Sequence, residues 1–181
     1  MSRILETERL LLRPPRAVDI SHFVPLLNDF EVAKNLSRVP YPYTEDDGCA
    51  FVVRAAHNWR SGEDMAFAIL TKAPGAYIGT CGIHPAQGWE FGYWLGRPYW
   101  RHGYATEAAR RLVAFAFDDL GVERLAAGWY HDNPASGRVL EKLGCMPDGQ
   151  DQRACLSRGC HVFCNKVALT RAEYQRRKEL P

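Results

Sequence analysis

The spacing of apolar residues changes period after residue 61, and that change constrains the fold more than any other feature. Between residues 19 and 60 the apolar positions recur three and four residues apart, as in amphipathic helices. Helices are predicted there at residues 19–28, 29–37 and 45–60. After residue 64 the apolar runs are short and bounded by glycine and proline. They predict strands at residues 65–70, 77–83 and 89–95, which form a β-meander, with turns at residues 74–75 and 85–88.

The second half of the chain alternates helix and strand. Further strands are predicted at residues 9–13, 124–130, 151–156 and 161–169, and further helices at residues 107–120, 133–144 and from 170 onward. Gly121 and Gly144 mark two of the helix ends, since glycine favours the position after a helix. The order predicts one α/β domain over residues 1–181, with a mixed, mostly antiparallel sheet and helices on both faces.

Composition excludes several classes of protein. Hydrophobic residues make up 46% and charged residues 24% of the chain, which is ordinary for a globular protein. No run of about 18 apolar residues predicts a membrane span. Residues 1–6 carry charge where a signal peptide has its apolar core, so we expect a cytoplasmic protein with no membrane contact. A net charge of +2 argues against nucleic-acid binding.

The cysteines do not show a metal-binding pattern. Six are present: Cys49, Cys81, Cys145, Cys155, Cys160 and Cys164. None forms a C-x-x-C pair, and zinc sites usually show paired short spacings. We therefore expect no metal, and thiols that serve as small apolar side chains on strands.

The segment of residues 95–106 joins a predicted strand to the clearest helix. The first N–H groups of a helix lack intrahelical partners and carry partial positive charge. Gly103 and Ala105 would let those donors approach an anion closely, and Arg101 and His102 add donor side chains. The segment has the outline of a diphosphate cradle. A plain strand–helix turn is the alternative.

Two sequence blocks in this order resemble the GNAT superfamily of acyl-CoA N-acyltransferases. The run GYWLGRPYWRHGYATEAARRLVAFAF resembles motif A of that superfamily, and NPASGRVLEKLGC resembles the second signature of its ribosomal-protein N-terminal acetyltransferase branch. The opening LETERLLLRP and the closing ALTRAEY are also similar to that branch, so the resemblance spans nearly the whole chain.

The resemblance implies acetyl-CoA as co-substrate and names the residues that would hold it. The N–H groups of residues 101–106 would bind the pyrophosphate, and the strand end at Leu95 would pair with the pantetheine. Asn133 and Ser136 would lie near the sulfur, and Lys142 toward the adenine ribose-phosphate. The full predicted set is Leu95, Arg101, His102, Gly103, Tyr104, Ala105, Thr106, Asn133, Ser136 and Lys142.

The chain departs from the family pattern at four positions. The superfamily's Gln or Arg three residues before Gly103 is Trp100, and a usual glycine is Arg101. Cys145 replaces a usual aromatic residue, and Leu140 stands where many members have a tyrosine that acts as general acid. A leucine cannot donate a proton, so another residue must take that role.

Two side chains are predicted to carry the chemistry. Glu90 lies on the strand that the resemblance places beside the acyl group, where a carboxylate can accept the proton of an amine. It shares a strand face with Gly92, which leaves room for a substrate. Ser136 is the predicted proton donor to the leaving sulfur. The alternatives are an exposed strand glutamate and a serine that only stabilises the first helical turn.

We therefore predict an N-acetyltransferase that moves acetyl directly to a primary amine, either a protein or peptide α-amine or a small amine. His84 and His131 are candidates to line the acceptor cleft. A non-catalytic acyl-CoA sensor and a nucleic-acid module built on the aromatic, basic cluster of residues 97–104 are the alternatives. Thiol release would separate the enzyme from the sensor. A homodimer is left open.

Overall fold

The computed structural model describes residues 4–86 and 88–179. Eight strands form one sheet: β1 Leu5–Glu6, β2 Leu10–Arg13, β3 Met65–Thr71, β4 Tyr77–Ala86, β5 Gly88–Leu95, β6 Arg124–Tyr130, β7 Met146–Cys155 and β8 Cys160–Thr170. Six α-helices accompany them: α1 Ile20–Leu27, α2 Phe30–Ala33, α3 Glu45–Ser61, α4 Tyr104–Ala114, α5 Pro134–Leu143 and α6 Arg171–Glu179. The predicted α/β class is confirmed.

Most element boundaries follow local signals in the sequence. Thr44 caps α3 by accepting a hydrogen bond from the Asp47 N–H, as a capping residue should. Asn133 caps α5 in the same way, and Gly144 ends α5 in the left-handed conformation. The predicted turn at residues 85–88 is wrong in part, because β4 continues to Ala86 and β5 begins at Gly88. Gln87 lies outside the described residues.

The strand order is β1-β2-β3-β4-β5-β6-β8-β7, and it contains one parallel pair, β5 with β6. The meander β3-β4-β5 is antiparallel, as predicted. The parallel pairing of β5 and β6 extends only over Trp89↔Leu125 and Glu90↔Ala126. Beyond that point the two strands separate, so the sheet opens into a wedge in its middle.

Two hydrophobic cores cover the two faces of the sheet. The larger core packs α4 against the meander, and its fully buried side chains include Phe67, Phe91 and Leu112. The smaller core packs α1 and α3 against the other face, around Phe23 and Tyr77. Helices on both faces were predicted and are confirmed.

Three further findings bear on function. No helix within residues 4–86 and 88–179 is long and apolar enough to cross a membrane. All six cysteines are free thiols, of which Cys49 and Cys160 are exposed and the other four are buried. Among the described residues, no group of three or more His, Cys, Asp or Glu side chains is placed to hold a metal ion.

Candidate active site

The wedge between β5 and β6 opens into a cavity of about 790 Å³. Gly96 N–H donates to the Ile78 carbonyl on β4. Because backbone groups alternate along a strand, the N–H and C=O of Leu95 point the other way, into the wedge. The Trp100 indole N–H donates to that Leu95 carbonyl at 2.7 Å. The Leu95 N–H is therefore the group that the strand end offers to an extended ligand.

The glycine loop, residues 101–106, lies at the mouth of the wedge. Arg101 has φ 64° and Gly103 has φ 80°, both in the left-handed region. Helix α4 begins within this segment at Tyr104, directly after Gly103, which is earlier than predicted from the sequence. The loop thus presents the unpaired N–H groups of a helix start, as an anion site requires. A left-handed conformation costs a non-glycine residue about 1–2 kcal/mol, which explains the glycine usual at position 101.

Arg9 contacts both the glycine loop and the first turn of α4. Its guanidinium donates to the His102 carbonyl at 3.0 Å and to Glu107 Oε2 at 2.7 Å, and it lies 4.6 Å from the centre of the Tyr104 ring. Thr7 donates to Glu107 Oε1 at 2.6 Å. Burial alone would raise the pKa of Glu107, but the hydrogen bonds from Thr7 and Arg9 outweigh it and lower the pKa. These contacts fix the start of α4.

Of the ten predicted cofactor residues, nine line the cavity: Leu95, Arg101, Gly103, Tyr104, Ala105, Thr106, Asn133, Ser136 and Lys142. The side chain of His102 lies outside the lining. Its Nδ1 is 2.7 Å from the Trp100 carbonyl oxygen, and its ring stacks on Tyr104.

The start of α5 faces the loop across the wedge. Asn133 Oδ1 accepts from the Ser136 N–H at 3.3 Å, which leaves the Ser136 hydroxyl available. That hydroxyl lies 3.0 Å from the Tyr93 hydroxyl on β5. Burial raises the pKa of Tyr93 to about 12 although the hydrogen bond with Ser136 lowers it, so Tyr93 stays protonated at neutral pH.

The part of the cavity around Glu90 and Arg153 contains an ion pair. We call it the acceptor side because we expect an amine to bind there. Arg153 Nη1 lies 2.5 Å from Glu90 Oε1, and both side chains are partly buried. Burial would lower the pKa of Arg153, but the hydrogen bond and charge of Glu90 raise it. A Cβ at Gly128 would lie 2.8 Å from Cys164 Sγ and 3.4 Å from Arg153 Cζ, so a larger residue there would crowd the arginine. Arg153 fixes the direction in which the carboxylate points.

The strand face of Glu90 is open next to this pair. A Cβ built on Gly92 would meet nothing within 4 Å, as expected for a residue that leaves room for a substrate. Phe91 is buried in the larger core and Trp94 packs against the smaller one, so successive side chains of β5 face opposite sides of the sheet. Glu90 therefore shares a face with Gly92, as predicted. A molecule bound over Gly92 would lie beside the Glu90 carboxylate.

His84 is directly opposite Glu90 in the β4–β5 register and lines the cavity. Burial, and then the charge of Arg38, lower the pKa of His84, although Glu90 and Asp64 act in the other direction. The imidazole is therefore mainly neutral at pH 7. His131 is exposed, packs edge-on against Phe163 and is not part of the cavity lining.

Two departures from the family pattern have a structural explanation. Leu140 is buried with 1% of its surface exposed, so its side chain packs the core. Cys145 is also buried, and its small side chain belongs to the same core. Burial raises the pKa of Cys145 to about 12, which keeps this thiol protonated and unreactive.

Three contacts at the candidate site have no signal in the sequence. Arg9 and Glu107 are 98 residues apart, Arg153 and Glu90 are 63 apart, and Tyr93 and Ser136 are 43 apart. Each pair forms only because distant strands and helices meet at the wedge. Tyr93 was visible as one of the alternating aromatic residues on β5, a pattern that indicates packing and says nothing of a hydroxyl partner.

Comparison with known proteins agrees with this geometry. A family model described as an acetyltransferase (GNAT) domain matches residues 9–146. The chain is 31% identical over 175 residues to the uncharacterized N-acetyltransferase p20 of Bacillus licheniformis, and the match covers 94% of this chain and 97% of p20.

Solved structures share the fold. An acetyltransferase (GNAT family) from Bacillus anthracis superposes with a TM-score of 0.82 at 23% identity, covering 94% of this chain and all of that one. RimL, a ribosomal L7/L12 α-N-protein acetyltransferase in complex with coenzyme A, superposes with a TM-score of 0.81 at 16% identity, covering 93% of this chain and 98% of RimL. At these identities the likeness establishes the architecture.

Proposed function

This chain belongs to the GNAT acetyltransferase family, and we propose that its wedge-shaped cavity carries out direct acetyl transfer from acetyl-CoA to a primary amine. Family membership confirms the resemblance that the two sequence blocks indicated. The protein is an acetyl-CoA-dependent N-acetyltransferase, which is favoured over a non-catalytic sensor or a nucleic-acid module.

One observation carries the proposal: a helix start and an open strand edge face the same wedge. Bound acetyl-CoA supplies the activated thioester. The N–H groups of residues 101–106 hold its pyrophosphate, and the Leu95 N–H pairs with the pantetheine. Asn133 lies toward the sulfur, and Lys142, exposed on α5, reaches the ribose-phosphate. The left-handed Arg101 and Gly103 turn the loop so that its donors converge.

Glu90 accepts the proton that the attacking amine must lose. Its carboxylate is held by Arg153 and borders the open space over Gly92, where the amine would lie. A positioned carboxylate base typically contributes about 10²–10⁴-fold to rate. Ser136 donates from its hydroxyl to the sulfur as the carbon–sulfur bond breaks.

Direct transfer is favoured because the cavity thiols are poor nucleophiles. Cys81 and Cys164 line the cavity. Burial raises the pKa of both, that of Cys164 to about 11, in spite of the nearby Arg153. Since the thiolate is the reactive form, neither is activated to form an acetyl-enzyme at neutral pH.

The first acceptor class to test is an α-amine of a peptide or protein. An α-amino group has a pKa of about 7.7–8 and is partly neutral at pH 7, whereas a lysine at about 10.4 needs a stronger base. A single carboxylate paired with an arginine suits the easier amine.

The test is an assay of thiol release from acetyl-CoA with three acceptors: a short peptide with a free N-terminus, the same peptide blocked at the N-terminus but containing lysine, and a small primary amine. Mass spectrometry locates the added acetyl group. We expect acetylation of the free N-terminus to be fastest. Thiol release without an acetylated amine, or none with any acceptor, would contradict the proposed reaction.

We also propose a cytoplasmic location, which the six free thiols support because such thiols persist in reducing compartments. The homodimer remains a prediction that sedimentation velocity can test.

A further inference from the structure

The Tyr93 hydroxyl contacts Ser136 at two atoms. It lies 3.0 Å from Ser136 Oγ and 3.4 Å from the Ser136 carbonyl oxygen. The Tyr93 ring packs against the larger core, so β5 holds the phenol rigidly at the start of α5. The 3.0 Å distance allows either hydroxyl to donate. The Ser136 carbonyl oxygen can only accept, so a Tyr93 O–H directed at Ser136 can be shared between Oγ and the more distant carbonyl oxygen.

The direction of this bond decides what Ser136 can do. A serine hydroxyl has one proton, and if Ser136 donated it to Tyr93, none would be available for a leaving group. If Tyr93 donates, the Ser136 proton is available to a third atom in the cavity. Because burial raises the pKa of Tyr93 to about 12, the phenol remains a donor across the pH range of an assay.

We infer that Tyr93 is a positioning residue that keeps Ser136 as the hydrogen-bond donor to the departing thiolate, in the role that Leu140 cannot take. This inference rests on the proposed function. The amine nitrogen forms a bond to the acetyl carbon, the carbon–sulfur bond breaks and the sulfur takes its electron pair, while the Ser136 O–H donates a hydrogen bond to the sulfur. The amine proton goes to Glu90. The thiolate takes a proton from water, and the hydroxide formed takes the proton from Glu90, so the reaction balances and the carboxylate is restored.

The experiment is a double-mutant cycle with Tyr93→Phe, Ser136→Ala and the double variant. Tyr93→Phe should lower kcat about tenfold, the worth of one hydrogen bond of about 1.4 kcal/mol, with the KM for acetyl-CoA within about twofold. In the double variant the tyrosine change should add nothing to the loss from Ser136→Ala, because its partner is already missing. Ser136→Thr, which keeps a hydroxyl, should retain sensitivity to Tyr93→Phe.

Tyr174→Phe is the matched control. Tyr174 also has a hydrogen-bonded phenol, to Asp118, but it lies on α6 and does not line the cavity. This variant should keep the wild-type kcat. Losses that multiply in the double variant, or an unchanged kcat in Tyr93→Phe, would overturn the inference while leaving the proposed function intact. Absence of acetyl transfer by the wild-type enzyme would overturn both.

Discussion

The glycine loop and the acceptor side of the cavity are built from different kinds of contact. The loop consists of consecutive residues, and its donors follow from two left-handed positions and a helix start. The acceptor side joins Glu90 on β5 to Arg153 on β7, which lies at the edge of the sheet. One region is determined locally, and the other depends on the whole sheet being assembled.

We expect this difference to separate two functions within one cavity. Changes in the glycine loop should alter acetyl-CoA affinity and leave the chemical step alone. Changes around Glu90 should alter turnover and leave acetyl-CoA affinity alone. The first three predictions below test this separation, and the fourth tests the charge of Glu107 at the glycine loop.

Glu90→Gln should have the largest effect, since it removes the base but keeps the shape. We expect kcat to fall about 10²-fold or more at pH 6.5, and the loss to shrink toward pH 9.5 as the amine deprotonates unaided. Asp151→Asn is the control, because Asp151 also contacts Arg153, at 3.2 Å. If Glu90→Gln keeps the wild-type rate at pH 6.5, Glu90 is not the base.

Gly103→Val should weaken acetyl-CoA binding about tenfold or more, because a β-branched residue at φ 80° costs about 1–2 kcal/mol or forces the loop to move. Its Cβ would also lie 3.3 Å from Arg9 Nη2. Gly121→Val carries the same backbone penalty at φ 72° with open space around it, away from the loop. The control should lose stability but bind acetyl-CoA normally. Equal affinities in both variants would place the pyrophosphate elsewhere.

Arg9→Met should weaken acetyl-CoA binding about threefold. It removes the hydrogen bonds that stabilise the glycine loop, but it removes no contact to the ligand itself. Enzyme kinetics should show a raised KM for acetyl-CoA and an unchanged kcat. Lys72→Met breaks an exposed ion pair with Glu6 on β1 and serves as the control. A fall in kcat for Arg9→Met would show that the glycine loop also affects the chemical step, which would contradict the separation of the two regions.

The smallest effect concerns pH and Glu107. Its folded pKa is lowered, so its pairing stabilises the protein above the ordinary glutamate pKa of about 4.3 and is lost as pH falls through the folded value. The difference in melting temperature between wild type and Glu107→Gln should therefore shrink from pH 6 toward pH 3. A constant difference across that range would mean that the charge of Glu107 contributes nothing.

Much of the fold could be predicted because its signals are local. Asn133 and Gly144 fix the ends of α5 within a residue. Strand β7 was missed over its first five residues, which are exposed, include Pro147 and Gly149, and become a strand only by pairing with β8. Helix α4 begins earlier than predicted because its capping residue is Gly103, which offers no side-chain signal.

The geometry of the candidate site was predictable only in part. The glycine loop could be located from Gly103 and Ala105 because a helix start carries N–H groups without intrahelical partners. The partners of Glu90 and Ser136 could not, since one sequence does not reveal which distant strands will meet. The side chain of His102 does not line the cavity, and here the reason is local. The ring packs on its sequence neighbours Trp100 and Tyr104 in a tight turn.

The most direct test of this account is a calorimetric titration of acetyl-CoA into three proteins: wild type, Gly103→Val and Glu90→Gln. We predict that the wild type and Glu90→Gln bind with affinities within about twofold of each other, and that folded Gly103→Val binds about tenfold or more weakly. Wild-type affinity in Gly103→Val, or a large loss of affinity in Glu90→Gln, would contradict the division of the cavity into a binding loop and a reacting side.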